Sequence, residues 1–244
     1  MALPKLQSPI YSLTLPISGR TVNYRPYNLG DEKLLIAASS ARTKDPEFFV
    51  ANTLQVIRNC ISDDGDIVDH LPAVDVEYLL MHLRARSVGE TANVRILVDA
   101  ETKRYEETEI NLTEFYVTPR DKEDYVIKLT DQVGLKMRET SFSERARHAI
   151  KYNGSESVRT DLIYDLIADS VEMIYDGDEV FVIGTDATRE ELIEFLSSIT
   201  NTVPLYKFIR NVPTLRLKVK VGKTEIEVTS NQVNFIASRS DTSI

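Results

Sequence analysis

An α+β fold, with helices packed against antiparallel β-hairpins, is predicted by three features of this 244-residue sequence. Apolar residues recur every three or four positions in several stretches, as at Phe49, Val50, Leu54, Ile57 and Ile61, the period of a helix with one buried face. Elsewhere they alternate with polar residues, as in Leu215, Leu217, Val219 and Val221, the period of a half-buried strand. Two helix starts carry reciprocal capping boxes, Ser141-x-x-Glu144 and Thr188-x-x-Glu191.

Taken in order, residues 1–27 read as an extended N-terminal arm. Prolines at 4, 9 and 16 fix φ and remove donors, and Ser18-Gly19 supplies a turn. Such an arm lies along the body or reaches towards a partner. Residues 31–40 are weakly helical. Asp45-Pro46 then starts a helix to about residue 60, with Asp as N-cap and Pro at the first position. After the acidic turn 62–70, a helix over 75–86 places Val76, Leu79, Leu80 and Leu83 on one side. Residues 93–112 read as a hairpin, and 123–130 with 132–138 as a second strand pair. Residues 157–175 keep helical spacing at Leu162, Ile163, Leu166, Ile167, Val171 and Ile174. A short strand FVIG, a helix at 189–199, an amphipathic piece at 203–210 and a final hairpin turning at Gly222-Lys223 complete the chain. The expected organisation is an arm (1–27), a helical and hairpin half (28–140), a second such half (141–236) and a polar tail (237–244). Helix, connection, strand, turn and return strand occur at 75–112 and again at 189–229. That order reads either as a duplicated helix-plus-hairpin unit or as coincidence of a common pattern.

Composition narrows the function. Hydrophobic residues at 42% and charged residues at 27% are ordinary for a globular protein, which argues against wholesale disorder. A net charge of −9 without a basic block disfavours nucleic acid, whose phosphates require clustered Lys and Arg. No run approaches transmembrane or signal-peptide length, so the expected setting is a reducing cytoplasm. The lone Cys60 forms no internal disulfide and reads as a buried core residue.

Motifs for catalysis, metals and cofactors fail at named positions. Placing Gly65 at position 6 of a calcium loop puts Cys60 at position 1 and Leu71 at position 12, where carboxylates belong. Gly222-Lys223-Thr224 lacks the first P-loop glycine, because Leu217 occupies its place. His70, His82 and His148 have no zinc-ligand spacing. His82 is expected to be partly buried, and His70 and His148 to lie at the surface or at caps. No catalytic, cofactor or metal residue is therefore assigned. The competing reading is a metal-assisted hydrolase using Asp63, Asp64, Asp66 and His70 of the 62–70 loop.

Six phrases, in order, resemble the baseplate hub assembly protein family of T-even-type contractile-tail bacteriophages: VNYRPYNLGDEKLLIAA (22–38), LPAVDVEYLLMHLRARSVGE (71–90), VGLKMRET (133–140), IYDGDEV (174–180), TREELIEFLSSI (188–199) and VPTLRLKVKVGKTEIEVTSNQVNF (212–235). The resemblance implies a baseplate hub component or assembly factor that acts through protein–protein contacts without catalysis. Its implied partners are other hub or tail proteins, including the tape-measure protein, with no nucleic acid and no membrane. It would lie in the host cytoplasm during assembly, and in the virion tail if retained. Some members carry Cys pairs in the hairpins; here these read VDAETKRYEET and KVGKTEIEV, so no metal role is implied. Arg84, Arg86 and Glu90 at the end of the 71–90 stretch, with Tyr206 and Phe208, are the candidate partner-binding residues. The alternatives are helix-terminal charges favourable to the dipole for the arginines and core packing for the aromatics.

Overall fold

A computed structural model describes residues 6–41, 44–62, 65–99, 104–152, 159–221 and 224–229. The fold is α+β, with seven helices and eleven strands in small antiparallel sheets among the described residues. The chain forms two compact units: Met1–Thr118 with Thr214–Ile244, and Pro119–Pro213.

In the first unit, β1 (Tyr11–Thr14) and β2 (Thr21–Tyr24) form a hairpin whose turn carries Gly19 at φ +66°, a conformation that favours glycine. Its chain continues along α2 (Pro46–Cys60), with Arg25 N–H donating to the Cys60 carbonyl at 2.9 Å and Ser62 N–H to Asn23 at 2.8 Å. The expected arm is thus a hairpin lying on its own unit. The predicted Asp45 cap is present: its carboxylate accepts from Phe48 N–H at 3.0 Å. Helix α1 (Leu29–Ala41) packs against α2. Burial pushes the Cys60 thiol up to about 12, with the neighbouring Asp31 charge adding to the effect, so it is a core residue and no nucleophile.

Helix α3 (Ala73–Ser87) is buried nearly all round, not along one stripe. Besides Val76, Leu79 and Leu83, it buries Val74, Met81 and Ala85 in a second core. That core is completed by both hairpins, β3 (Thr91–Asp99) with β4 (Arg104–Asn111) and β10 (Leu215–Val221) with β11 (Thr224–Thr229), through Val94, Ile110, Leu215, Leu217 and Val228. Short β5 (Tyr116–Val117) pairs with β10.

The second unit is a meander of β6 (Val126–Lys128), β7 (Val133–Met137), β8 (Val171–Asp176) and β9 (Glu179–Val182), in that order. Its helices are α4 (Phe142–Lys151), α5 (Arg159–Ser170), α6 (Arg189–Ser197) and α7 (Val203–Arg210). Both capping boxes form, at Ser141–Glu144 and Thr188–Glu191. Ile127, Leu135, Ile167, Leu192, Leu196, Leu205 and Phe208 share its core. Gly134 lies beneath Tyr175, where a Cβ would also come within 2.7 Å of the Ile127 carbonyl oxygen.

Two sequence expectations change. The helix predicted over 157–175 ends at Ser170, and Val171 and Ile174 belong to β8, where pairing with β7 supersedes the helical period. Residues 119–140, grouped by sequence with the first half, pack within the second unit, whereas the 215–229 hairpin, grouped with the second half, packs in the first. The helix and the hairpin of the 189–229 repeat therefore belong to different units.

Candidate functional site

The candidate residues fall into two groups, one in each unit. In the first unit, the end of α3 places Arg86 on the surface and Arg84 inside. Arg84 is 8% exposed, because both flanks of α3 are covered, so its side chain is not a surface feature. Arg86 pairs with Glu90, four residues on and beyond the helix end at Ser87, lies 5.0 Å from the Tyr11 ring centre and sits close to Tyr24. The pair therefore also ties the N-terminal hairpin to α3. His82 is buried beside Tyr78, ring centres 4.6 Å apart, and burial holds its pKa down, with the Arg86 charge adding to the effect.

In the second unit, α7 carries Tyr206 half-buried and Phe208 in the core at 4% exposed. The Arg120 guanidinium lies 3.9 Å from the Phe208 ring centre, donates from Nη2 to the Phe208 carbonyl at 2.7 Å, and from Nε to Glu139 at 2.6 Å. Tyr125 donates to the same carboxylate oxygen at 3.2 Å. This Arg–Glu pair is almost fully buried, at 6% and 3% side-chain exposure. Nothing in the local sequence signalled it, since Arg120, Glu139 and Phe208 meet only in the fold.

A second unforeseen cluster joins α4, α5 and α6. His148, expected at the surface, is buried at 5% because Asp169 on α5 supplies its partner, at 2.8 Å from Nε2. Arg189 on α6 bonds Asp169 and reaches Asp165 at 3.1 Å, while Lys151 Nζ donates to Asp165 at 2.6 Å. Asp165 and Asp169 stand one turn apart on α5, so the two carboxylates face the cations of both neighbouring helices. Burial opposes their ionisation, but the bonds from Lys151, Tyr152 and Arg189 hold Asp165 down to about 2, and those from His148 and Arg189 also hold Asp169 low. With folded values below the usual 3.8, the seam stabilises the unit above that pH and loses this contribution as pH falls towards 2. In an acid titration followed by circular dichroism, Asp165→Asn is expected to flatten the loss of stability between about pH 4 and 2; an unchanged slope would count against the seam.

In the acidic 62–70 loop, Asp63 and Asp64 lie outside the described residues, Asp69 pairs with Arg58 at 2.5 Å, and His70 is exposed. No group of three or more potential metal ligands occurs among the described residues. No helix among them is long and apolar enough to cross a membrane.

These arrangements are ion-pair seams and packed faces, chemistry that holds surfaces in register. A family model described as T4 bacteriophage base plate protein matches residues 8–236, through both units. The chain belongs to the T4 bacteriophage base plate protein family. Comparison with curated proteins found no significant match, nor did comparison with solved structures. Family membership gives the chain a structural role in the phage base plate, in the virion tail, with other base plate proteins as its partners.

Proposed function

We propose that this base plate protein is a component or assembly factor of the baseplate hub, acting through protein contacts and without catalysis. The observation that carries the reading is the extent of the family match, residues 8–236, which spans both units. The hairpins support it. Their inner faces complete a core, while the outer face of β10 and β11 sets Lys218 opposite Glu227 and Lys220 opposite Glu225, a polar surface suited to reversible contacts. Arg86, Glu90 and Tyr206 remain the proposed contact residues. Arg84 and Phe208 act behind the surface by fixing α3 and α7.

Sedimentation of a tagged chain from infected cells tests the reading. Co-migration with hub intermediates is expected, and a chain found only free, with hubs assembling normally in its absence, would overturn it. Retention in purified virions marks a structural subunit, and loss before maturation marks an assembly factor, including one that meets the tape-measure protein.

A further inference from the structure

The two edges of the four-stranded sheet differ in how they meet solvent. In an antiparallel ladder, alternate residues turn their N–H and C=O away from the partner strand. On β9, pairing of Phe181 with Ile174 turns Val180 and Val182 outward. The chain itself closes most of that edge: Asp186 accepts from Val182 N–H at 2.9 Å, and the amides of Thr185, Asp186 and Ala187 all point at the Val182 carbonyl. This is the usual protection of an edge strand.

On β6 the edge is open. Leu129 N–H donates to the Val133 carbonyl at 2.9 Å, and Ile127 stands opposite Leu135, so the ladder turns Val126 and Lys128 outward. Val126 N–H is taken by the Glu123 carbonyl. That leaves the Val126 carbonyl and both the N–H and the carbonyl of Lys128 without a protein partner among the described residues. Val126 and Lys128 line a cleft of about 220 Å³, together with Pro204, Lys207 and Phe208 of α7. The volume is below the roughly 300–1,000 Å³ of small-molecule sites and suits one or two side chains. Lys128 and Lys207 are exposed and make no ion pair among the described residues, while Glu123 and Asp124 precede the strand at its other end. Val126, 44% exposed, sits between the two charged ends.

We propose that this cleft takes an extended segment of a partner base plate protein, added as a strand to β6, with an acidic side chain that meets the lysines of its lining, Lys128 and Lys207. The proposal rests on the reading of the chain as a protein that works by contacts, and names the chemistry of one partner. Three main-chain hydrogen bonds fix the segment: two exchanged with Lys128, and one accepted by the Val126 carbonyl. Alternate side chains of the segment then face α7, and the two lysines select its charge.

Binding of two labelled seven-residue peptides to the full-length chain tests this. Both alternate Thr and Val, one with a central Glu and the other with a central Lys. The Glu probe is expected to bind more tightly and to slow hydrogen exchange at the Lys128 amide. Lys128→Pro removes an outward N–H and leaves the ladder to β7 intact, so it is expected to weaken binding by about tenfold or more. The double variant Lys128→Glu with Lys207→Glu keeps the backbone groups and is expected to reverse the preference to the Lys probe. No binding of the Glu probe up to millimolar concentration, binding that survives Lys128→Pro, or an unreversed preference would each overturn the proposal. Because the probes are free peptides, that failure leaves hub membership intact, which sedimentation reads separately.

Discussion

Glu139→Ala is expected to destabilise the second unit by about 3–5 kcal/mol, the largest effect of any single substitution proposed for this chain. The carboxylate it removes is 3% exposed and receives Arg120 Nε at 2.6 Å and the Tyr125 hydroxyl at 3.2 Å. Truncation leaves the Arg120 guanidinium buried with the Phe208 carbonyl and ring as its partners among the described residues. Removing one member of a buried pair costs far more than the pair itself contributes, because the survivor keeps its desolvation penalty. Arg120→Ala should therefore be comparably damaging, and it also strips the cation that meets the C-terminal end of α7. The double replacement Arg120→Met with Glu139→Leu fills the site with apolar atoms and should cost less than either truncation. The chain has no Trp, so circular dichroism and hydrogen exchange on the residues of the second unit are the suitable readouts. A double replacement that costs the sum of the two single ones would refute the pairing.

What sequence reading captured and what it missed follow from how local each determinant is. The Asp45 cap, both capping boxes and the limits of α7 were legible, because cap and period lie within a few residues of each other. Both long hairpins were legible from alternation alone. The α5–β8 boundary was not, because Val171 and Ile174 satisfy a helical period and a strand equally, and only the partner β7 decides. Nor was the division into units, which turns on β5 pairing with β10 across the whole intervening unit. At the candidate site, the structure pairs Arg86 with Glu90, both named by sequence at the end of the 71–90 stretch, as a surface ion pair. The burial of Arg84 was not legible, since nothing local says that α3 is covered on both flanks. His148 misled for a related reason: its burial depends on Asp169, a residue of another helix.

The same non-local logic sets the second large effect. Asp75→Ala is expected to cost the first unit about 2–4 kcal/mol, from two backbone amides left without acceptors in a covered site. Asp75 is fully buried in the first turn of α3, and its two carboxylate oxygens accept from Ile17 N–H and Ser18 N–H, each at 2.9 Å. The carboxylate thus clamps the turn of the β1–β2 hairpin onto the start of the central helix, where negative charge also complements the dipole. Asp75→Asn should recover only part of the loss. An amide side chain offers one acceptor oxygen, and its NH₂ would confront an N–H donor with a second donor. Loss of the clamp releases the hairpin at its turn, while the contacts of Arg86 with Tyr11 and Tyr24 hold its open end. Hydrogen exchange is therefore expected to accelerate first at Ile17 and Ser18 and least at the strand residues near Tyr24. Uniform acceleration along the hairpin would show that the clamp does not act locally. Unchanged stability would show that the two amides find water as readily as they find Asp75.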